Sequence, residues 1–297
     1  MAKKNNTPFS FNVSGARSAS SIKSMTFFDG EYNEPEKAPI DLFQEKKMSN
    51  MKLLGAHLRN PGTEDYIPLA TADSQEWKQL SSLVILGLVS SVESYFRCLI
   101  RRLLNIDEHS RKFSYSSMLT YGAALHHNKI LLPEALLENA SFTSISNIIK
   151  SINGFLDINL GGYAKFPSLN SALSDFELIC HLRHCVVHRS GLLGSNNALA
   201  LGLDEYSALL EKPLSINFVT IQEIALVCDN LVKEINDKLF HEILSRTVKE
   251  YDWTGDLRSD KPFFKKYFDL FSSMQNNTVD NMKICYRLFI QHHDIKV

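Results

Sequence analysis

The chain lacks most of the features that would classify it at sight. Its five cysteines (Cys98, Cys180, Cys185, Cys228 and Cys285) are odd in number, and none stands in a Cys-x-x-Cys pair. That argues against a disulfide framework and a cysteine zinc ribbon, and it favours a reducing compartment. There is no charge of one sign to spare: 32 Lys and Arg stand against 33 Asp and Glu, for a net charge of -1. No chain-wide basic field exists, so any nucleic-acid binding must be local. The Walker-type phosphate loop, the dinucleotide Gly-x-Gly-x-x-Gly, His-Glu-x-x-His and Gly-x-Ser-x-Gly are all missing, which weighs against NTPase, dehydrogenase, zinc-protease and α/β-hydrolase chemistry. The longest apolar run, Leu83 to Val89, soon meets Glu93 and is too short to span a bilayer. The first residues carry lysines without an apolar stretch behind them, so no secretory leader and no membrane partner is expected, and the expected setting is cytoplasmic.

What is present reads as a globular protein. Of 297 residues, 44% are hydrophobic and 22% charged, which rules out global disorder and suits one large domain or two small ones with a sizeable core. Residues 1–70 hold five of the nine prolines and read as an extended arm or short strands, with Phe9, Phe11, Phe27 and Phe28 apolar enough to pack. A helical domain is expected over 71–247 and a C-terminal helical extension over 248–297. Asp73 or Ser74 can cap a long, largely buried helix running to about Asn105. Further helices are expected from about Pro133, over Ser144 to Leu156, from Ser168 or Asn170 to Arg189 with Gly191 as the stop, and from a Thr220 cap along the stripe Ile221, Ile224, Ala225, Cys228, Leu231, Ile235, Leu239 and Ile243. Leu199–Leu203 and Leu214–Val219 look like two short strands of a hairpin. The extension is read as helices over about Pro262–Met274 and Val279–Gln291. The fold class is therefore mainly α.

One segment stands out chemically. From Glu177 to Gly191, three of the ten histidines fall within eight residues, beside Arg183 and Arg189. At about 100° per residue His181, His184 and His188 share one side of a helix. His188 lies in the last turn, where the helix C-terminus favours a protonated imidazole. Cationic donors with an imidazole titrating near neutrality suit a phosphodiester. The same residues also read as a polar helix end, or as a divalent-metal site on His184 and His188 with His181 a turn earlier. Glu93 is a carboxylate in an apolar helix, costly unless paired, and either a structural ion pair or an orienting group for Arg183 or His188. Arg97, Arg101 and Arg102 read as a solvated face or as a track for an RNA backbone.

Arg183-His184-Cys185-Val186-Val187-His188 resembles the Arg, polar residue, three residues, His motif of the HEPN superfamily (higher eukaryote and prokaryote nucleotide-binding domain). The helix carrying Ser90-Ser91-Val92-Glu93-Ser94-Tyr95-Phe96 resembles the first core helix of its branch linked to RNase LS and phage defence. The resemblance covers about residues 75–245 and implies a HEPN-like helical bundle with metal-independent endoribonuclease activity, needing no cofactor. Arg183 would hold the scissile phosphate, His188 would move the proton as the ribose 2′-hydroxyl attacks, His184 would orient them or contact RNA, and Glu93 would support them. It further implies an RNA substrate, a homodimer, and an antitoxin or defence-system partner protein. The position two residues beyond the motif His is Ser190 rather than the Tyr of the branch that pairs with nucleotidyltransferase antitoxins, so that pairing is not implied. A catalytically silent HEPN module that dimerises and binds RNA, nucleotide or protein is the alternative.

Overall fold

A serine hydroxyl starts the longest helix. Ser74 accepts the Trp77 N–H (3.1 Å) and α2 runs Gln75–Ile106, close to the span that the sequence pattern gives. The computed structural model describes residues 13–19, 21–57, 74–160 and 166–295. Two compact units divide at Glu36 and Lys37. In the first, residues 13–36 contain one 3-10 turn, Ser24–Phe27, and no strand among the described residues, and Phe27 and Phe28 are exposed. Phe9 and Phe11 lie outside the described residues.

The second unit is a helical assembly around α2. The other helices are α1 (Pro39–His57), α3 (Glu108–Phe113), α4 (Tyr121–His126), α5 (Leu132–Leu136), α6 (Ile145–Leu156), α7 (Pro167–Arg189), α8 (Ser195–Leu201), α9 (Leu203–Tyr206), α10 (Phe218–Arg246), α11 (Leu257–Phe271) and α12 (Val279–His292). Among the described residues 71% are helical, so the fold is mainly α as the composition and periodicity suggest. Along α2, Val84, Ile85, Leu88, Val92, Phe96, Leu99 and Leu103 are all buried. The three-and-four spacing turns them into one core stripe, each contributing about 1.5–3 kcal/mol on burial. By length and composition α2 could also cross a bilayer, which the short Leu83–Val89 run does not suggest. Its apolar face is instead buried in the protein's own core.

Three expectations change. Residues 39–57 form α1, whose Ile40, Phe43 and Leu54 join the core, so a helix occupies part of the segment read as irregular, and residues 58–70 lie outside the described residues. A polar contact fastens α1 to α10: buried Asp229 accepts hydrogen bonds from Gln44 Nε2 (2.5 Å) and Lys47 Nζ (2.6 Å). Burial alone would push this carboxyl up, but the hydrogen bonds from Lys233, Lys47 and Gln44 outweigh it and hold it below the ordinary range. The proposed hairpin strands are absent. Leu199–Leu201 belong to α8, and Asn217 rather than Thr220 caps α10 by accepting the Thr220 N–H (2.9 Å), so Phe218 and Val219 are its first turn. Only an isolated antiparallel bridge, Leu192 with Pro213, joins the segment. Finally, residues 248–297 are no separate extension. Asp256 caps α11 six residues before Pro262, and Phe264, Tyr267, Phe268 and Phe271 enter the same core as α2 and α10.

Asp107 explains why that C-terminal part belongs to the bundle. This carboxylate, 1% exposed, sits where α2 ends. It accepts the Ser110 N–H (2.8 Å), the Tyr267 hydroxyl of α11 (3.1 Å) and an Arg246 Nη2 donor from α10. Arg246 also donates to the Leu156 carbonyl at the end of α6 (2.5 Å) and to Ser110 Oγ (2.7 Å). One ion pair thus closes the end of four helices. Asp107→Ala leaves a buried guanidinium without its counter-charge and is expected to cost about 3–5 kcal/mol in urea unfolding. A loss below about 1 kcal/mol would show that the junction is not structural.

Candidate functional site

The site is the last two turns of α7 and the segment that folds back over them. Pro167 occupies the first turn of α7, and Leu169, Ala172, Leu173, Phe176, Ile179 and Cys180 face the core. The helix ends in a left-handed turn: Ser190 has φ 51° and Gly191 φ 84°. The N–H groups of both donate to the Cys185 carbonyl, so orphan acceptors of the last turn are satisfied. The chain reverses here. Leu214 N–H donates to the Gly191 carbonyl (2.8 Å), Leu193 N–H to the Lys212 carbonyl (3.0 Å), and Arg189 pairs with Glu211. Residues 192–214 therefore lie across the end of α7, with Cys185, Leu193 and Ala198 in a small second core backed by Leu201, Tyr206, Leu210 and Leu214.

On this helix end the structure brings the histidines together as the spacing suggests. His184 and His188 are exposed, their ring centroids 4.7 Å apart at 47°. His181 is half-buried, and α8 presents the amide of Asn197, which is only 5% exposed. Its Oδ1 lies 3.2 Å from His181 Nδ1, and its Nδ2 lies 3.2 Å from His184 Nδ1 and 2.9 Å from Cys185 Sγ. Asn197 has no place in the sequence reading. Nothing in Gly194-Ser195-Asn196-Asn197 marks it, because only the left-handed turn carries it back to a helix face 12–16 residues upstream. Burial, then the positive charges of His188, Arg183 and His181, hold His184 below the ordinary imidazole range. Both effects disfavour the protonated ring.

Arg183 is half-buried beside His184, and no carboxylate among the described residues pairs with it. Glu93 does not orient it. The Glu93 Oε1 accepts the Phe142 N–H (3.4 Å), just as Glu177 Oε2 accepts the Ile145 N–H (2.8 Å), so both carboxylates fix the chain entering α6. Glu93 and Arg183 each act electrostatically on the buried Cys180 thiol. Burial and then Glu177 push that thiol up, with Arg183 opposing. The expected cationic track on α2 is also absent. Arg97 donates to Glu134 (3.1 Å) and to the Ala140 carbonyl (2.9 Å), Arg101 is 8% exposed with Glu134 at 3.6 Å, and Arg102 donates to the Lys37 carbonyl. These guanidiniums tie α2 to α5 and to the start of α1 instead of facing solvent as a row. Among the described residues no group of three His, Cys, Asp or Glu side chains converges as metal ligands. His181 and His184 both turn Nδ1 to Asn197.

Two open grooves of about 930 and 810 Å³ lie elsewhere, the first between α10 and α12, the second between α1 and α10. Compared with known proteins, the chain matches no family model, no curated protein and no solved structure.

In a histidine-resolved NMR titration, His184 is expected to lose its proton below the ordinary midpoint of about 6.5. Arg183→Gln removes one of the opposing charges and is expected to move that midpoint upward. A wild-type midpoint at or above the ordinary value would contradict the electrostatic picture of the cluster.

Proposed function

We propose that the chain is a metal-independent endoribonuclease of the HEPN kind that works as a homodimer. The observation that carries this is an exposed pair of imidazoles, His184 and His188, beside an arginine with no carboxylate partner among the described residues. An anion is the partner such an arginine lacks, and a neutral imidazole is the base that a ribose hydroxyl needs. Arg183 holds the scissile phosphate and stabilises the charge that builds on it. His188 takes the 2′-hydroxyl proton. The 2′-oxygen bonds to phosphorus, the phosphorus–5′-oxygen bond breaks, and the leaving oxygen takes up the proton that His188 has removed, giving a 2′,3′-cyclic phosphate and a 5′-hydroxyl. His184 donates beside them.

The homodimer is what the HEPN resemblance implies, and the helix geometry is compatible with it. Arg183 and His188 are five residues apart, so they project about 140° apart on one helix, and no bond joins them within the described residues. Two helix ends meeting across a two-fold axis place each arginine toward the other copy's histidine. The setting we infer is a reducing cytoplasm, consistent with five free cysteines, in a toxin or phage-defence role with an antitoxin or defence-system partner.

Purified protein in EDTA is expected to cleave RNA, with Arg183→Ala and His188→Ala each at least about 100-fold slower and unchanged in circular dichroism. Folded wild-type protein that cleaves no RNA but binds RNA or nucleotide would replace the enzyme by the silent binding module. Activity that appears only on adding a divalent metal would overturn the metal-independent reading.

A further inference from the structure

We propose that Asn197 is the positioning residue for His184, fixing its neutral ring with the proton on Nε2, so that His184 serves as a neutral donor and His188 alone takes protons. The division of labour rests on the nuclease reading above; the tautomer does not.

Donors and acceptors around Asn197 fix the tautomers. An asparagine amide has one oxygen and two N–H bonds. The oxygen of Asn197 lies 3.2 Å from His181 Nδ1, so that nitrogen carries a hydrogen. Both amide N–H bonds are taken, one toward His184 Nδ1 at 3.2 Å and one toward Cys185 Sγ at 2.9 Å. A nitrogen that faces an N–H donor must offer its lone pair, so His184 Nδ1 is bare and the neutral ring's proton sits on Nε2. The amide is 5% exposed and Cys185 1% exposed, so Asn197 cannot turn toward water without giving up three contacts. Turning it end for end would exchange the tautomers of His181 and His184, an alternative with its own spectrum.

The arrangement also keeps His184 neutral. A second proton would enter at Nδ1, directly against the amide donor. Burial and the charges of His188, Arg183 and His181 act in the same direction. Those charged groups all belong to α7, and the α8 residue in contact, Asn197, is uncharged. A ring held this way can donate Nε2–H to a phosphoryl oxygen without changing its own charge. His188 is exposed and carries no bond to Asn197 among the described residues, so the amide fixes the tautomer of His184 and not that of His188.

Two-bond proton–nitrogen NMR of the wild-type chain at neutral pH, with no RNA added, tests this. The expected spectrum shows His184 protonated at Nε2 and His181 at Nδ1. A His184 ring protonated at Nδ1 would overturn the proposal. Asn197→Asp replaces the donor by a charged acceptor. It is expected to draw a proton to His184 Nδ1 and raise the His184 midpoint by about one pH unit or more. A folded Asn197→Asp protein with the wild-type tautomer and midpoint would equally refute it. The wild-type spectrum stands by itself if that variant does not fold. A protein that shows the expected tautomers but cleaves no RNA upholds the positioning role and removes the nuclease reading, so the two failures are distinguishable.

Discussion

The site depends on how α7 stops. Once Ser190 and Gly191 take the left-handed turn and give both N–H groups to the Cys185 carbonyl, the chain has to return across its own helix end. That return buries Cys185 beneath Leu193 and Ala198 and sets the Asn197 amide against two histidines. A serine in the left-handed region carries some backbone strain. The small second core and the Arg189–Glu211 pair are what hold it there. The site is therefore assembled from one helix and the segment that follows it, and the rest of the bundle serves as its mount.

The charges of the bundle fall into two groups. On α2, Arg97, Arg101 and Arg102 are engaged by Glu134 and by backbone carbonyls, and at its end Asp107 engages Arg246. Such partly buried pairs specify the packing of neighbouring helices and lose their value when one partner is removed. At the end of α7, Arg183 and His188 have no such engagement among the described residues. A cationic group left without a partner at a surface is where an anionic ligand gains most, and this contrast within one protein supports reading α7 rather than α2 as the chemical site.

Much of the fold is legible in the sequence because four long helices announce themselves. Ser74 and Ser144 start α2 and α6, α7 starts at Pro167, one residue before the Ser168 expected, and the stripe from Ile221 to Ile243 is α10. α1 is hidden because part of its inward face is polar: Asn50 reaches Ser91 against Gly87, and Gln44 and Lys47 reach Asp229, so no clean apolar stripe appears. The hairpin reading of 199–219 fails because alternating Leu and Ala or Gly fits a short helix as well as a strand, and the Asn217 cap decides for the helix. At the site, the spacing of His181, His184 and His188 shows directly in the sequence. The roles of Glu93 and the α2 arginines do not, since their partners come from residues 134–142 and from Lys37, up to 65 positions away. Asn197 is invisible for the same reason.

The central claim is that the α7 end breaks a ribose–phosphate bond by internal attack. Mass spectrometry of a defined RNA after incubation with the protein in chelator tests it most directly. Fragments ending in a 2′,3′-cyclic phosphate, matched by partners beginning with a 5′-hydroxyl, are the expected result. Fragments with 3′-hydroxyl and 5′-phosphate ends, or RNA left whole by folded protein, would contradict it.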